Sequence, residues 1–103
     1  MPSLGSIYVI AFDSGRIKVG AGADGVRRLR EHRASAAGYG VEAIAEWASP
    51  PHPGFEVNEQ LLIRICTALA DRRIGREYFT GLDFDFVQHT AQRMSEKSAN
   101  RGR

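Results

Sequence analysis

The stretch IYVIAFDSGRIKVG, residues 7–20, decides how this chain folds. Residues 6–12 and 16–21 are rich in β-branched and aromatic side chains, and Asp13-Ser14-Gly15 divides them. The pattern predicts two strands joined by a three-residue turn, with Gly15 supplying a positive φ at its last position. Such a turn sets Phe12 opposite Arg16, Tyr8 opposite Gly20 and Ile10 opposite Lys18. Side chains alternate between faces, so Tyr8 and Lys18 project from the same face as diagonal neighbours. Gly20 is expected to leave open space beside the phenol. A two-residue turn would set the two polar side chains apart.

The remainder of the chain supplies cover for this hairpin. Asp24 is placed to cap a helix over 25–36, in which Val26, Leu29, Arg33 and Ala36 follow helical spacing. Gly38 and Gly40 end it. Residues 41–48 alternate as a third strand, with Val41, Ala43, Ala45 and Trp47 on one face. The proline-rich segment 49–54 breaks regular structure. A second helix runs from Phe55 to about Asp71, with Leu62, Ile65, Cys66 and Leu69 as its buried stripe. A link, RRIGREYFTG, leads to a last helix from about Asp83 to Met94. Residues 95–103 are basic, have little to bury, and are expected to form a disordered tail. The fold class expected is α+β: a small three-stranded antiparallel sheet flanked by helices, in the order β-β-α-β-α-α. Residues 1–94 would form one domain.

Composition sets the limits of function. The chain has 103 residues, 43% hydrophobic and 25% charged, as in ordinary globular proteins. Its one cysteine, Cys66, rules out an internal disulfide or a four-cysteine zinc site and is expected in the core. There is no apolar run long enough to span a bilayer and no signal-peptide pattern, so a cytoplasmic location is expected. Net charge is only +2, yet Arg27, Arg28, Arg30 and Arg33 cluster against Glu31 alone. Guanidinium groups in such a cluster match phosphate oxygens, although a solvated helix face has the same pattern.

Three further residues stand out by position. Arg28 and His32, four apart, lie one above the other at the border of the first helix's apolar stripe. Glu59 shares a face with Ile63 and Cys66, an unusual place for a carboxylate. Each has an ordinary structural explanation: a core tyrosine, a solvated lysine, surface Arg and His, or a first-turn acid favouring the helix dipole. His52 and His89 have no partner at metal-ligand spacing and are read as surface residues.

Together these residues resemble the GIY-YIG endonuclease superfamily over about residues 5–80. Its two tripeptides are matched by Ser6-Ile7-Tyr8 and Lys18-Val19-Gly20. Its Arg-x-x-x-His helix is matched by RLREH, at Arg28 and His32, and its glutamate helix by VNEQLL, at Glu59. Lys18 stands where most of the family has tyrosine, Ser6 where it has glycine, and the late asparagine has no match. These departures are similar to a short phage and bacterial branch with a Lys-Ile-Gly motif and a Glu-Trp-Phe-like box, here Glu77-Tyr78-Phe79. Glu77 is read equally as an anchor or a site contact, with Tyr78 and Phe79 packing on the sheet.

The resemblance implies hydrolysis of a phosphodiester bond in DNA, or in RNA, with one divalent metal. Glu59 would hold Mg²⁺ or Mn²⁺, one carboxylate with several waters being a shell that magnesium favours. Tyr8 would be the general base, His32 would orient it or relay its proton, and Arg28 would hold a nonbridging oxygen. Lys18 either lowers the phenol's pKa as an ammonium or takes the proton itself as an amine. Arg27, Arg30 and Arg33 would grip the DNA backbone without reading sequence. A homodimer or an accessory protein would supply any specificity. The alternative is a catalytically weak or inactive nucleic-acid-binding module on the same scaffold.

Overall fold

The first hairpin forms in the register its three-residue turn requires. In the computed structural model, which describes residues 3–101, β1 (Ser6–Phe12) pairs antiparallel with β2 (Arg16–Gly22), Tyr8 opposite Gly20 and Ile10 opposite Lys18. Gly15 has φ +86°, the conformation that closes the turn. The elements that follow are α1 (Gly25–Ala37), β3 (Ala43–Ala48), α2 (Phe55–Leu69), β4 (Arg72–Ile74), β5 (Tyr78–Thr80) and α3 (Phe84–Arg101). The chain is α+β.

The sheet has five strands, not the expected three, in the order β3-β1-β2-β5-β4, all antiparallel. The two extra strands come from RRIGREYFTG, expected as a link. Ile74 pairs with Tyr78 across three intervening residues, and Gly75 at φ +64° opens that turn. The element order is therefore β-β-α-β-α-β-β-α.

The two faces of the sheet carry different cores. Ile7, Val9, Ala11, Ile17, Val19 and Phe79 pack with Leu62, Ile63 and Cys66 of α2 and Val87 and Ala91 of α3. On the opposite face Tyr8, Ile10 and Phe12 pack with Leu29 of α1. A register shift between Ala11 and Phe12 splits the stripe expected on β3. Ala45 and Trp47 pack against the first core, Val41 and Ala43 against the second. Burial of these apolar side chains is the main drive for the three-layer arrangement.

Both long helices differ from expectation at their edges. Val26 on α1 is 66% exposed and Leu69 on α2 56%, so neither belongs to a buried stripe; Asn58, Leu62, Ile63 and Cys66 form that of α2. Asp24 caps α1 as expected, accepting from the Arg27 N–H at 3.1 Å. Burial pushes the Cys66 thiol up to about 11, as suits an inert core residue.

Residues 95–101, expected as a tail, continue α3; Arg103 lies outside the described residues. The reason is a buried polar network rather than apolar packing. His52, expected on the surface, is 2% exposed. Asn58 donates to His52 Nε2 at 3.1 Å and to Ser98 Oγ at 2.9 Å. With Nε2 accepting, His52 Nδ1–H donates to the Pro50 carbonyl at 3.0 Å. Ser49 Oγ in turn accepts from the Ile7 N–H at 3.0 Å. The last turns of α3 are thus tied through α2 and the proline segment to β1, an interior strand of the sheet. Among the described residues no helix is long and apolar enough to cross a membrane.

Candidate functional site

The site is built on the face of the sheet that α1 covers. Tyr8 is 1% exposed and its ring lies across Gly20, filling the space expected to be open there. A Cβ on Gly20 would overlap the phenol, so this position requires glycine for close approach. Ser6, where the resemblance would place glycine, is accommodated by Gly25 in the first turn of α1. A Cβ on Gly25 would come within 2.8 Å of Ser6 Cβ.

The α1 helix delivers Arg28 and His32 to this ring. The Tyr8 Oη and His32 Nε2 atoms are 2.9 Å apart, and the two rings are tilted at 34°. Burial, and after it the positive charges of Lys18 and Arg28, holds His32 below the ordinary imidazole pKa. The depressed pKa favours the neutral imidazole at pH 7, and in the tautomer with hydrogen on Nδ1 its Nε2 accepts a hydrogen bond from the phenol. Burial also pushes the Tyr8 phenol above its ordinary value, with the Arg28 guanidinium pulling it back down. Arg28 keeps a contact with Glu31 at 3.1 Å on the exposed side of the helix.

Lys18 has close partners of its own. Its amine is buried, 5% exposed, forms an ion pair with Glu77, and sits 4.9 Å from the centroid of the Tyr78 ring. A buried ammonium needs such partners. The charges acting most on Tyr8 are those of Arg28, Glu77 and Glu59. Glu77 is both an anchor and a site contact: its carbonyl also accepts the Val19 N–H at 3.0 Å, extending the ladder beyond β5. Phe79 is fully buried and Tyr78 half-buried, both packed on the sheet as expected.

Glu59 on α2 is half-buried and has no ion pair among the described residues. Burial, then the negative charge of Glu77, raises its carboxyl pKa, with Arg76 and Lys18 opposing. An uncompensated carboxylate beside a second carboxylate suits a hard divalent cation that keeps several waters. Among the described residues no three Asp, Glu, His or Cys side chains form a ready-made cage.

The structure brings Tyr8 and His32 into contact, and the charges of Arg28, Lys18 and Glu59 act on one or other member of that set. The three flanking arginines are less uniform. Arg27 faces Glu31 at 3.9 Å, Arg33 pairs with Glu46, and only Arg30 has no ion pair among the described residues. Two residues are named in the sequence reading but not placed in the site there: Tyr78, read only as packing on the sheet and found beside the Lys18 amine, and Arg16, two positions before Lys18 and hence on its face. The alternation that placed Lys18 was signal enough for Arg16. No family model, curated protein or solved structure matches the chain.

Proposed function

We propose that this protein is a cytoplasmic, metal-dependent endonuclease of the GIY-YIG type, hydrolysing phosphodiester bonds in DNA. The observation that carries the reading is the 2.9 Å contact between the buried Tyr8 phenol and a neutral His32. Any buried tyrosine hydroxyl needs a hydrogen-bond partner; what supports the reading is that this partner is an imidazole able to take a proton, with the Arg28 guanidinium acting on the same phenol.

The contact defines a proton path. Tyr8 takes a proton from the attacking water while its own passes to His32 Nε2. Arg28 stabilises the phenolate character that develops on Oη and is placed to hold a nonbridging phosphate oxygen as negative charge grows there. Lys18 is a positioning residue, held by Glu77 and Tyr78, and its charge helps to keep His32 unprotonated. Glu59, with Glu77 beside it, would hold Mg²⁺ or Mn²⁺, which would supply Lewis-acid stabilisation of the leaving 3′ oxygen.

Supercoiled plasmid incubated with Mg²⁺ or Mn²⁺ tests the proposal. The native protein should nick it, and Glu59→Ala and Arg28→Ala should not. Binding of plasmid without nicking under either metal would instead support the inactive binding module.

A further inference from the structure

Beside the catalytic cluster lies a groove of about 480 Å³, reached from the β1–β2 turn and the end of α1. Its walls include Phe12, His32, Tyr39 and Tyr78, with Arg16 among them. These aromatic rings come from β1, α1, β5 and the turn after α1, and converge on one space. Tyr39 is 87% exposed, the most open large hydrophobic side chain among the described residues, and stands between Gly38 and Gly40. A bare ring in that setting has a flat face with nothing against it.

Besides His32, Arg16 is the one titratable group of acid or base character among the described non-aromatic residues that line the groove. Arg16 is exposed and has no ion pair among the described residues. It pairs across the sheet with Thr80, and Thr80 with Arg72, so Arg16 and Arg72 share a face two strands apart. Arg72 likewise has no ion pair among the described residues. By contrast, three of the four arginines on α1 face carboxylates.

We propose that this groove seats an unpaired nucleotide next to the phosphate held at Tyr8 and Arg28. Its base stacks on Tyr39 and Tyr78, and its phosphate meets Arg16. The proposal rests on the nucleic-acid reading above and gives the substrate a structural class: DNA with an unstacked base at the cutting point. Ring faces lining a concavity are of no use to a base inside a duplex, because its own faces are covered by its neighbours. They suit a base out of the stack, and the free arginines suit its backbone. Continuity supports the placement, since His32 and Tyr78 belong to both the groove and the catalytic cluster.

Fluorescence anisotropy in EDTA, where no cutting occurs, tests it with two labelled DNAs of equal length. One is fully paired, and the other carries a run of unpaired thymidines. The native protein should bind the second about tenfold more tightly. Tyr39→Ala should abolish that preference, Tyr39→Phe should retain it, and Arg16→Gln should flatten the salt dependence of binding by about one unit of slope. Equal affinity of the native protein for both DNAs, or a preference that survives Tyr39→Ala, overturns the inference. Failure to nick plasmid with the preference intact removes the enzyme reading alone. Nicking without the preference removes the inference alone.

Discussion

The Tyr8 ring lies across the α-carbon of Gly20, in the volume that any side chain at position 20 would fill. Gly20→Ala should therefore act on the phenol and not on the strand. We expect the alanine to displace Tyr8 from His32, to cost roughly 1–3 kcal/mol by overpacking, and to abolish nicking. Thermal unfolding and the plasmid assay read the two effects separately. A variant with native Tm and native nicking would refute the close-approach role.

The proton path predicts a pH profile. His32 must be neutral to accept, and its pKa in the fold lies below the ordinary 6.5. Activity should be flat at neutral pH and fall only below that ordinary value. His32→Gln should remove this acid limb together with most of the rate. The same depressed pKa has a stability consequence of fixed sign. Between the folded and unfolded pKa values the unfolded chain binds the extra proton, so His32's contribution to stability is lost as pH falls below about 6.5. At the other end, Arg28→Gln removes the cation beside Tyr8. The phenol then becomes a weaker acid, and the optimum should move to higher pH.

Glu59 should exchange stability for function. Its raised carboxyl pKa means that the ionised form is disfavoured in the fold, so stability at neutral pH is below what a neutral side chain would give. Glu59→Gln should raise Tm slightly, the gain being small because the carboxyl is partly exposed and screened by solvent, while ending activity. Added Mg²⁺ should raise the Tm of the native protein and leave that of Glu59→Gln unchanged, a readout independent of cutting.

Lys18 and Glu77 should behave as a coupled pair. Glu77→Gln leaves a buried ammonium with only the Tyr78 ring for company, and Lys18→Met leaves a half-buried carboxylate beside Glu59. Because Glu77 is partly exposed, each single change should cost about 1–2 kcal/mol, less than for a fully buried pair. The double variant should recover about 1 kcal/mol of the summed loss. Denaturant unfolding of the four proteins measures the coupling, and strict additivity would show that the pair contributes nothing.

A chain ending at Met94 should be markedly less stable. It loses Ser98, a hydrogen-bond partner of the buried Asn58, and with it the end of α3. Leaving that amide short of a partner should cost about 1–3 kcal/mol. A truncated protein with native Tm would show that the segment only lies on the surface.

The hairpin was the most legible part of the fold because a turn of known length fixes every pairing beyond it. That one inference placed Tyr8 and Lys18 on one face, and helical spacing added Arg28 and His32. What the sequence concealed was polar or short. The end of α3 buries serines, which carry no hydropathy signal, and His52 is enclosed by partners distant in sequence. The second hairpin has strands of three residues, too few for alternation to register, although Gly75 between Ile74 and the Tyr78-Phe79 pair marked its turn. Lys18's attachment to Glu77 depended on that hairpin and could not be seen without it.

The β4–β5 hairpin gives the site a boundary in rigidity. Tyr8 and Lys18 stand on interior strands paired on both sides, but Glu77 stands in the turn of a three-residue edge hairpin whose one deeply buried side chain is Phe79. Peripheral ribbons of that kind open at a fraction of the global free energy. Each opening detaches the carboxylate from Lys18 and leaves the ammonium without its counter-charge. The Lys18–Glu77 pair thus joins an interior strand to a short edge hairpin, so the charge balance around Tyr8 and His32 is set in part by the least anchored ribbon of the sheet.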